Sequence, residues 1–386
     1  MEEIKIICND RTVSRIVSGE EVSGAAGLLE GESAVFVVHD AKAGHIAEKL
    51  RSSIGARASK AIEATEHCKT LDTVRDICSW LMENGADRDA LVLGIGGGIT
   101  TDMTGFAASI YKRGVRFALI PTTLLAQVDA AIGGKTGVNL DSYKNMIGVI
   151  RQPEWTYICT EALETLPYRQ FVNGSAELLK TFIIEDSKED YTRTVKLLSG
   201  INSAESRKTA IEAYRADLTE LILHAAAVKA GIVGRDQFEN GERRVLNLGH
   251  TFAHAIEKLS NSGHESGDAA VAPGKEAHGS SDMVDTRAQK GDICHGEAVA
   301  MGIVLAARLS EALGIAEPRL AERIRNHFAS CGLPVECPFT PEELEDAMKK
   351  DKKSENGIIH FVLPRRIGDV IIKDMTAEEA IELLKK

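Results

Sequence analysis

The sequence contains no CxxC pair, no apolar run approaching the roughly 20 residues that span a bilayer, and no excess of basic over acidic residues. Its cysteines (Cys8, Cys68, Cys78, Cys159, Cys294, Cys331 and Cys337) form an odd set. That argues against a disulfide framework or a cysteine-only zinc site, so they read as reduced thiols. A formal charge of −11 excludes nonspecific attraction to nucleic acid or anionic membrane, so basic residues must matter locally. The first residues, MEEIKIICNDRTVSRIV, place acids where a signal peptide needs positive charge, and a cytoplasmic location is expected. What the chain does have is length: 386 residues at 44% hydrophobic content are enough for two domains with separate cores.

The first part alternates short apolar runs with helical patterns, which predicts α/β architecture around a mostly parallel sheet. Ala34 to Val38, Ala90 to Leu93 and Phe117 to Ile120 read as buried strands. After about residue 165 the pattern changes to long amphipathic stretches, Ser175 to Ile184, Lys208 to Ala230, Leu246 to Leu259 and Glu297 to Leu313, which predict a mostly helical second domain over 166–386. Thr340-Pro341-Glu342-Glu343 and Thr376-Ala377-Glu378-Glu379 fit capping boxes, with a small hairpin expected between them from Ile358 to Leu363 and Val370 to Ile372. Residues 260–291 carry almost no large apolar side chains and read as a polar, flexible insertion.

Three segments carry chemistry. Gly94 to Asp102 follows a predicted strand and opens a helix; its glycines suit either a tight turn or a phosphate cradle at a helix N-terminus, and the spacing departs from GxGxxG. In PTTLLAQVDAAIGGKTGVNLDSYKN, the residues Asp129, Lys135, Asn139, Lys144 and Asn145 sit among small and apolar neighbours, an arrangement open to gripping an anion or to an ordinary solvated loop. His250 and His254 are four apart on a predicted helix and share a face, which Arg243 and Asn247 extend backwards in steps of four and three. Glu177 and His295 complete a candidate Glu/His/His shell of the open catalytic-zinc kind; the plainer alternative makes His295 a helix cap and Glu177 a solvated residue.

Taken together, the motifs GGGITTDMTGF, RGVRFALIPTTLLAQVDAAIGGKTGVNLDSYKNMIG, TLPYRQF with AELLK, VKAGIVGRDQFENGERRVLNLGHTFAHAIE, HGEAVAMG and DKKSENG, in that order from about residue 35 to 365, resemble the 3-dehydroquinate synthase family of sugar phosphate cyclases. The resemblance implies a Rossmann-like NAD-binding domain over 1–165, followed by a helical metal- and substrate-binding domain. It implies Glu177, His250 and His295 as ligands of Zn²⁺ or Co²⁺. It puts Asp129, Lys135, Asn145, Lys180, Lys229, Arg243, Asn247 and His254 at the substrate, with Lys353 or Lys352 and Arg113 at its phosphate. Glu239 and His254 are the implied proton-handling residues. NAD is implied along Gly96, Gly97, Gly98 and Asp102, near Thr122, Thr123, Lys144 and Thr165, with Asp40, Glu66 and Lys69 at its adenosine end. The implied reaction converts 3-deoxy-D-arabino-heptulosonate 7-phosphate to 3-dehydroquinate plus phosphate, with NAD reduced and reoxidised within each cycle. The implied partners are that small phosphorylated sugar acid and a second copy of the chain; no nucleic acid or membrane partner is expected.

One departure stands out. The link from His250 to His295 is markedly longer than the family's, and the excess is the polar segment, where His264 and His278 read as solvated loop residues. A sister cyclase, a polyol dehydrogenase of related fold and a catalytically silent scaffold are the rival readings. The last predicts lost ligands, and none is lost.

Overall fold

The computed structural model describes residues 2–141, 143–204, 207–262, 293–350 and 357–385. Lys352, Lys353, His264, His278 and most of the 260–291 segment lie outside the described residues.

The strands are β1 (Glu3–Cys8), β2 (Arg11–Ser18), β3 (Val35–Asp40), β4 (Ala58–Ile62), β5 (Leu91–Gly96), β6 (Arg116–Pro121), β7 (Lys135–Leu140), β8 (Tyr143–Ile150), β9 (Trp155–Ile158), β10 (Ile359–Arg366) and β11 (Asp369–Met375). Seven of them form one sheet in the order β1-β2-β9-β6-β5-β3-β4, parallel throughout except for β1 against β2. The helices are α1 (Gly44–Ile54), α2 (Leu71–Glu83), α3 (Gly98–Ile110), α4 (Tyr168–Ile184), α5 (Lys188–Ser203), α6 (Arg207–Ala213), α7 (Arg215–Arg235), α8 (His250–Ser262), α9 (His295–Ala312), α10 (Leu320–Ser330), α11 (Pro341–Lys349) and α12 (Ala377–Leu384).

The apolar runs become central strands because side chains alternate across a sheet covered on both faces. Phe36 and Val38 pack with Val74, Ile77, Met103 and Phe106 of α2 and α3. Val35 and Val37 point the other way, into a core with Ile46, Ala47 and Leu50 of α1. The carboxyl ends of these parallel strands are where an open α/β sheet binds ligands. Residues placed there by the resemblance do follow strand ends: Asp40 closes β3, Gly96 closes β5, Thr122 and Thr123 follow β6, and Glu66 and Thr165 come after β4 and β9.

The chain divides into two compact units, Met1–Gly174 with Ala204–Arg243, and Ser175–Ser203 with Arg244–Lys386. This corrects the expected boundary near residue 165. The physical reason is α7, which belongs to the first unit: its apolar face packs on β1, so closely that a Cβ on Gly234 would stand 2.6 Å from the Ile7 carbonyl oxygen. The stretch Lys208 to Ala230 is also two helices, broken at Tyr214.

In the second unit α9 is buried on nearly every side, which is the environment an all-round apolar helix requires. Both predicted capping boxes form, Thr340 with Glu343 and Thr376 with Glu379, and β10 pairs antiparallel with β11 as the sequence suggested. The expected continuous stripe from Arg243 to His254 does not form. Residues Glu242–Asn247 make a separate 3₁₀ turn, and α8 starts only at His250. Gly249 lies between them at φ 78°, where a Cβ would come within 2.8 Å of the Ile303 amide nitrogen, so only glycine fits and the helix cannot run through.

Candidate active site

In the second unit, α4, α8 and α9 each contribute one residue to a compact cluster. Glu177 of α4 is fully buried, with His250 Nε2 3.6 Å and His295 Nε2 3.4 Å from its Oε1. One candidate ligand atom from each residue lies within 4.8 Å of the others. One carboxylate and two imidazoles are a donor set suited to zinc or cobalt with a position left open, so the residues present fit the expected ion.

The electrostatics of the two histidines differ. Burial first, and then the nearby Lys180 ammonium, push His250 down to about 3, so its ring is neutral and ready to ligate. Burial also works against charge on His295, but the contacts with Glu177 and Glu257 outweigh it and push that ring up to about 10. In the metal-free protein a proton therefore occupies part of the place a cation would take. Lys180, one turn along α4, puts its Nζ 2.5 Å from Glu177 Oε2 and donates to the Leu246 carbonyl at 2.7 Å. The His254 ring lies 5.7 Å from that of His250, close to edge-on. Asn247 is half-buried in the turn preceding α8.

The first unit holds most of the expected anion-binding residues, each engaged by its own neighbours. Lys229 of α7 donates to Asp129 twice, to Oδ1 at 2.7 Å and to the carbonyl at 2.6 Å. Lys135, at the start of β7, pairs with Glu239, which has φ 61°. Arg243 is buried and donates to the carbonyls of Gln237 at 2.5 Å and Gly133 at 3.0 Å; burial lowers its affinity for the proton.

The glycine turn is built for close approach. Gly97 is the N-cap of α3 and no acid occupies the first turn of that helix. A Cβ on Gly96 would stand 2.6 Å from the side chain of Thr100, one on Gly97 3.0 Å from Thr123, and one on Gly98 3.1 Å from Ala130. Bare amides at a helix N-terminus, in a cradle any side chain would fill, fit the pyrophosphate of NAD. Thr122 donates its amide to the Gly96 carbonyl at 2.9 Å, and Thr123 Oγ1 accepts from the Ala126 amide at 3.2 Å.

Lys69 is buried and joins two expected groups, donating to Asp102 Oδ2 at 2.6 Å and to Asn145 Oδ1 at 2.5 Å. Burial pushes the Asp102 carboxyl up, with Lys69 opposing it. Asn139 supports the group: its Nδ2 donates to Glu66 Oε2 at 2.8 Å and its Oδ1 accepts from the Asn145 amide at 2.9 Å. Asp40 accepts from the Lys42 amide at 2.9 Å, and Thr165 Oγ1 lies 3.2 Å from His45 Nε2. Lys144 is exposed on β8. Arg113 is exposed in the connection from α3 to β6, at the end of the sheet opposite the glycine turn.

Sequence reasoning missed Glu257. It is buried on α8, and its position, three after His254 and seven after His250, continues the histidine face.

The 3-dehydroquinate synthase N-terminal family matches residues 59–173 and the 3-dehydroquinate synthase C-terminal family residues 174–279 and 277–354. The chain belongs to the 3-dehydroquinate synthase family. It is 40% identical over 322 residues to the 3-dehydroquinate synthase of Pyrococcus furiosus, covering 83% of this chain and 82% of that one. The 3-dehydroquinate synthase of Acidithiobacillus ferrooxidans is 37% identical over 322 residues, covering 83% and 78%. Among solved structures, the 2-epi-5-epi-valiolone synthase of Streptomyces hygroscopicus subsp. jinggangensis, which holds NAD⁺ and Zn²⁺, matches with a TM-score of 0.78 at 27% identity over 99% of this chain and 98% of that chain. The family thus pairs with a fold already seen around a nicotinamide cofactor and a divalent ion.

Proposed function

We propose that this chain is a 3-dehydroquinate synthase: it converts 3-deoxy-D-arabino-heptulosonate 7-phosphate to 3-dehydroquinate and phosphate in the shikimate route. The observation that carries this reading is the Glu177, His250 and His295 set around a buried carboxylate in a chain of that family, backed by Lys180 on the same helix turn. Glu177, His250 and His295 would hold Zn²⁺ or Co²⁺, and the turn from Gly96 to Gly98 with Asp102 would take NAD. When bound, NAD accepts and returns a hydride within each cycle and the ion acts as a Lewis acid toward the substrate oxygen.

The chain's own residues do the rest. Lys135, Lys229 and Arg243 supply positive charge for carboxylate and phosphate, and Asp129 and Glu239 hold two of those cations in place until an anion competes for them. His254 and Glu239 are the groups suited to taking up and returning the proton at the carbon next to the transient ketone, since that ketone acidifies it. Asn145 and Asn247 offer neutral donors to hydroxyls, and Lys353 or Lys352 joins the phosphate grip.

The deciding experiment supplies the heptulosonate phosphate with catalytic NAD and a divalent metal. Many phosphates should be released per NAD, with 3-dehydroquinate as product and no net NADH. Stoichiometric NADH would make the chain a polyol dehydrogenase; phosphate release with another carbocycle would make it a sister cyclase.

Two finer statements belong to the same proposal. The enzyme is cytoplasmic; no described helix is long and apolar enough to cross a membrane. It also works as an isologous homodimer. Arg113 lies at the sheet end remote from its own glycine turn, yet the family resemblance puts it at phosphate, and both hold if it reaches into a neighbouring subunit. Arg113→Ala and His250→Ala enzymes should each be nearly inactive, while mixing them should restore about a quarter of wild-type activity through sites that receive both intact residues, by the statistics of random subunit exchange. No recovery on mixing, or a fully active monomer at high dilution, refutes the shared site.

A further inference from the structure

His295 opens α9, and described residues of α8 and of the first turn of α9 aim its ring. Three contacts do so. The Ile293 amide donates to Ser260 Oγ at 3.3 Å, tying the start of α9 to the last turns of α8. The Cys294 amide donates to Glu297 Oε2 at 2.8 Å, closing a capping box around the first turn. The third contact is to the ring itself: Nδ1 lies 3.5 Å from Glu257 Oε1, while Nε2, the opposite nitrogen, faces Glu177. Glu257 and Ser260 are one turn apart on α8, so a single stretch of that helix holds both the backbone and the side chain of His295.

We propose that Glu257 is a positioning residue for the metal shell: by accepting the Nδ1 proton of His295 it fixes the ring and directs Nε2 toward Glu177 and the ion. A neutral imidazole has one donor nitrogen and one acceptor nitrogen, and whichever group holds the proton on one decides what the other offers. Packing alone does not account for the choice of residue. Glu257 is 6% exposed, and a buried carboxylate is costly where leucine would fill the same volume without that penalty. The proposal rests on reading Glu177, His250 and His295 as a metal shell, and its test separates the two.

The experiment measures Zn²⁺ affinity by chelator competition, the visible absorption of the Co²⁺ form, and the melting temperature of the metal-free protein. It compares wild type, Glu257→Ala, Glu257→Gln and His250→Ala. An outer-shell partner of a ligating histidine is worth roughly 10- to 100-fold in metal affinity, so the alanine variant should weaken binding by about 100-fold and the glutamine variant, which keeps an acceptor, by about 10-fold. The Co²⁺ absorption should change in both, with metal-free melting close to wild type for the glutamine variant. Wild-type affinity in either folded variant overturns the proposal, as does equal weakening in both that merely follows a fall in metal-free stability. If the alanine variant fails to fold, the glutamine variant decides alone. Wild-type protein that takes up no ion, or His250→Ala protein that binds as wild type does, overturns the metal shell as well.

Discussion

Chelator-stripped protein is expected to lose at least about 10³-fold in turnover, and Zn²⁺ or Co²⁺ to restore it in wild type but not in His250→Ala. A Lewis acid contributes several kcal/mol to a transition state that develops charge on oxygen, and about 4 kcal/mol corresponds to that factor. His250 is the ligand best prepared for the ion, because burial keeps its ring neutral with no proton to surrender. His295 is the opposite: Glu177 and Glu257 hold it protonated up to about 10 against the effect of burial, so metal uptake should release one proton and tighten as pH rises. A pH indicator in a weakly buffered titration reads that proton directly. The linkage also runs through the metal-free fold. Because the folded value is raised above the usual 6.5, its stabilisation is fully present below about pH 6.5 and is lost as pH climbs through about 10. Full activity without metal, or in His250→Ala, would sink the assignment.

Lys180→Met should have the largest effect on stability. Lys180 and Glu177 are both essentially inaccessible, 1% and 0% exposed, and one turn apart on α4 with 2.5 Å between their charged atoms. Removing one member of a buried pair costs about 3–5 kcal/mol, and because the protonated His295 still faces Glu177, the lower end, about 3 kcal/mol, is expected. For units of this size that is a fall of roughly 10 °C in the melting temperature of the metal-free protein. Bound Zn²⁺ should recover much of it, because the ion supplies positive charge beside the same carboxylate. Metal should therefore bind the variant more tightly than wild type even as turnover drops. An unchanged metal-free melting temperature would show that the pair contributes nothing.

The sequence disclosed these features unevenly, and the reasons are physical. Strands buried on both faces announce themselves as uninterrupted apolar runs, so the expected ends of β3, β5 and β6 lie within three residues of the observed ones. Capping boxes are local chemistry, and both formed. His250 and His254 share a face because four residues make about one turn. Glu177 carries no such local signal: the residues alone leave it open as a shell member or a solvated helix residue, and it is the family resemblance that places it beside histidines 73 and 118 positions later. The stripe through Arg243 failed because periodicity ignores backbone handedness, and Gly249 turns the chain where a helix template expects another rung. The domain boundary was misplaced because amphipathic periodicity says that α7 has an apolar face but not which core receives it. Lys69, expected at the adenosine end of NAD, also holds Asn145, expected at the substrate, a bond between residues 76 apart that no linear pattern contains.

The hydrogen bond from Ile293 to Ser260 has a practical consequence for anyone who wishes to re-engineer this protein. It turns the exit of α8 and the entry of α9 into a docking port whose two rims are already fastened together. Closing a flexible loop between two points costs entropy that grows slowly with its length, about 0.6 kcal/mol for each doubling, and here the two points are already held together. A reporter domain or affinity tag whose own termini lie close together could be joined between these two helix ends, with Ser260, Glu257 and the Cys294 cap left to aim His295.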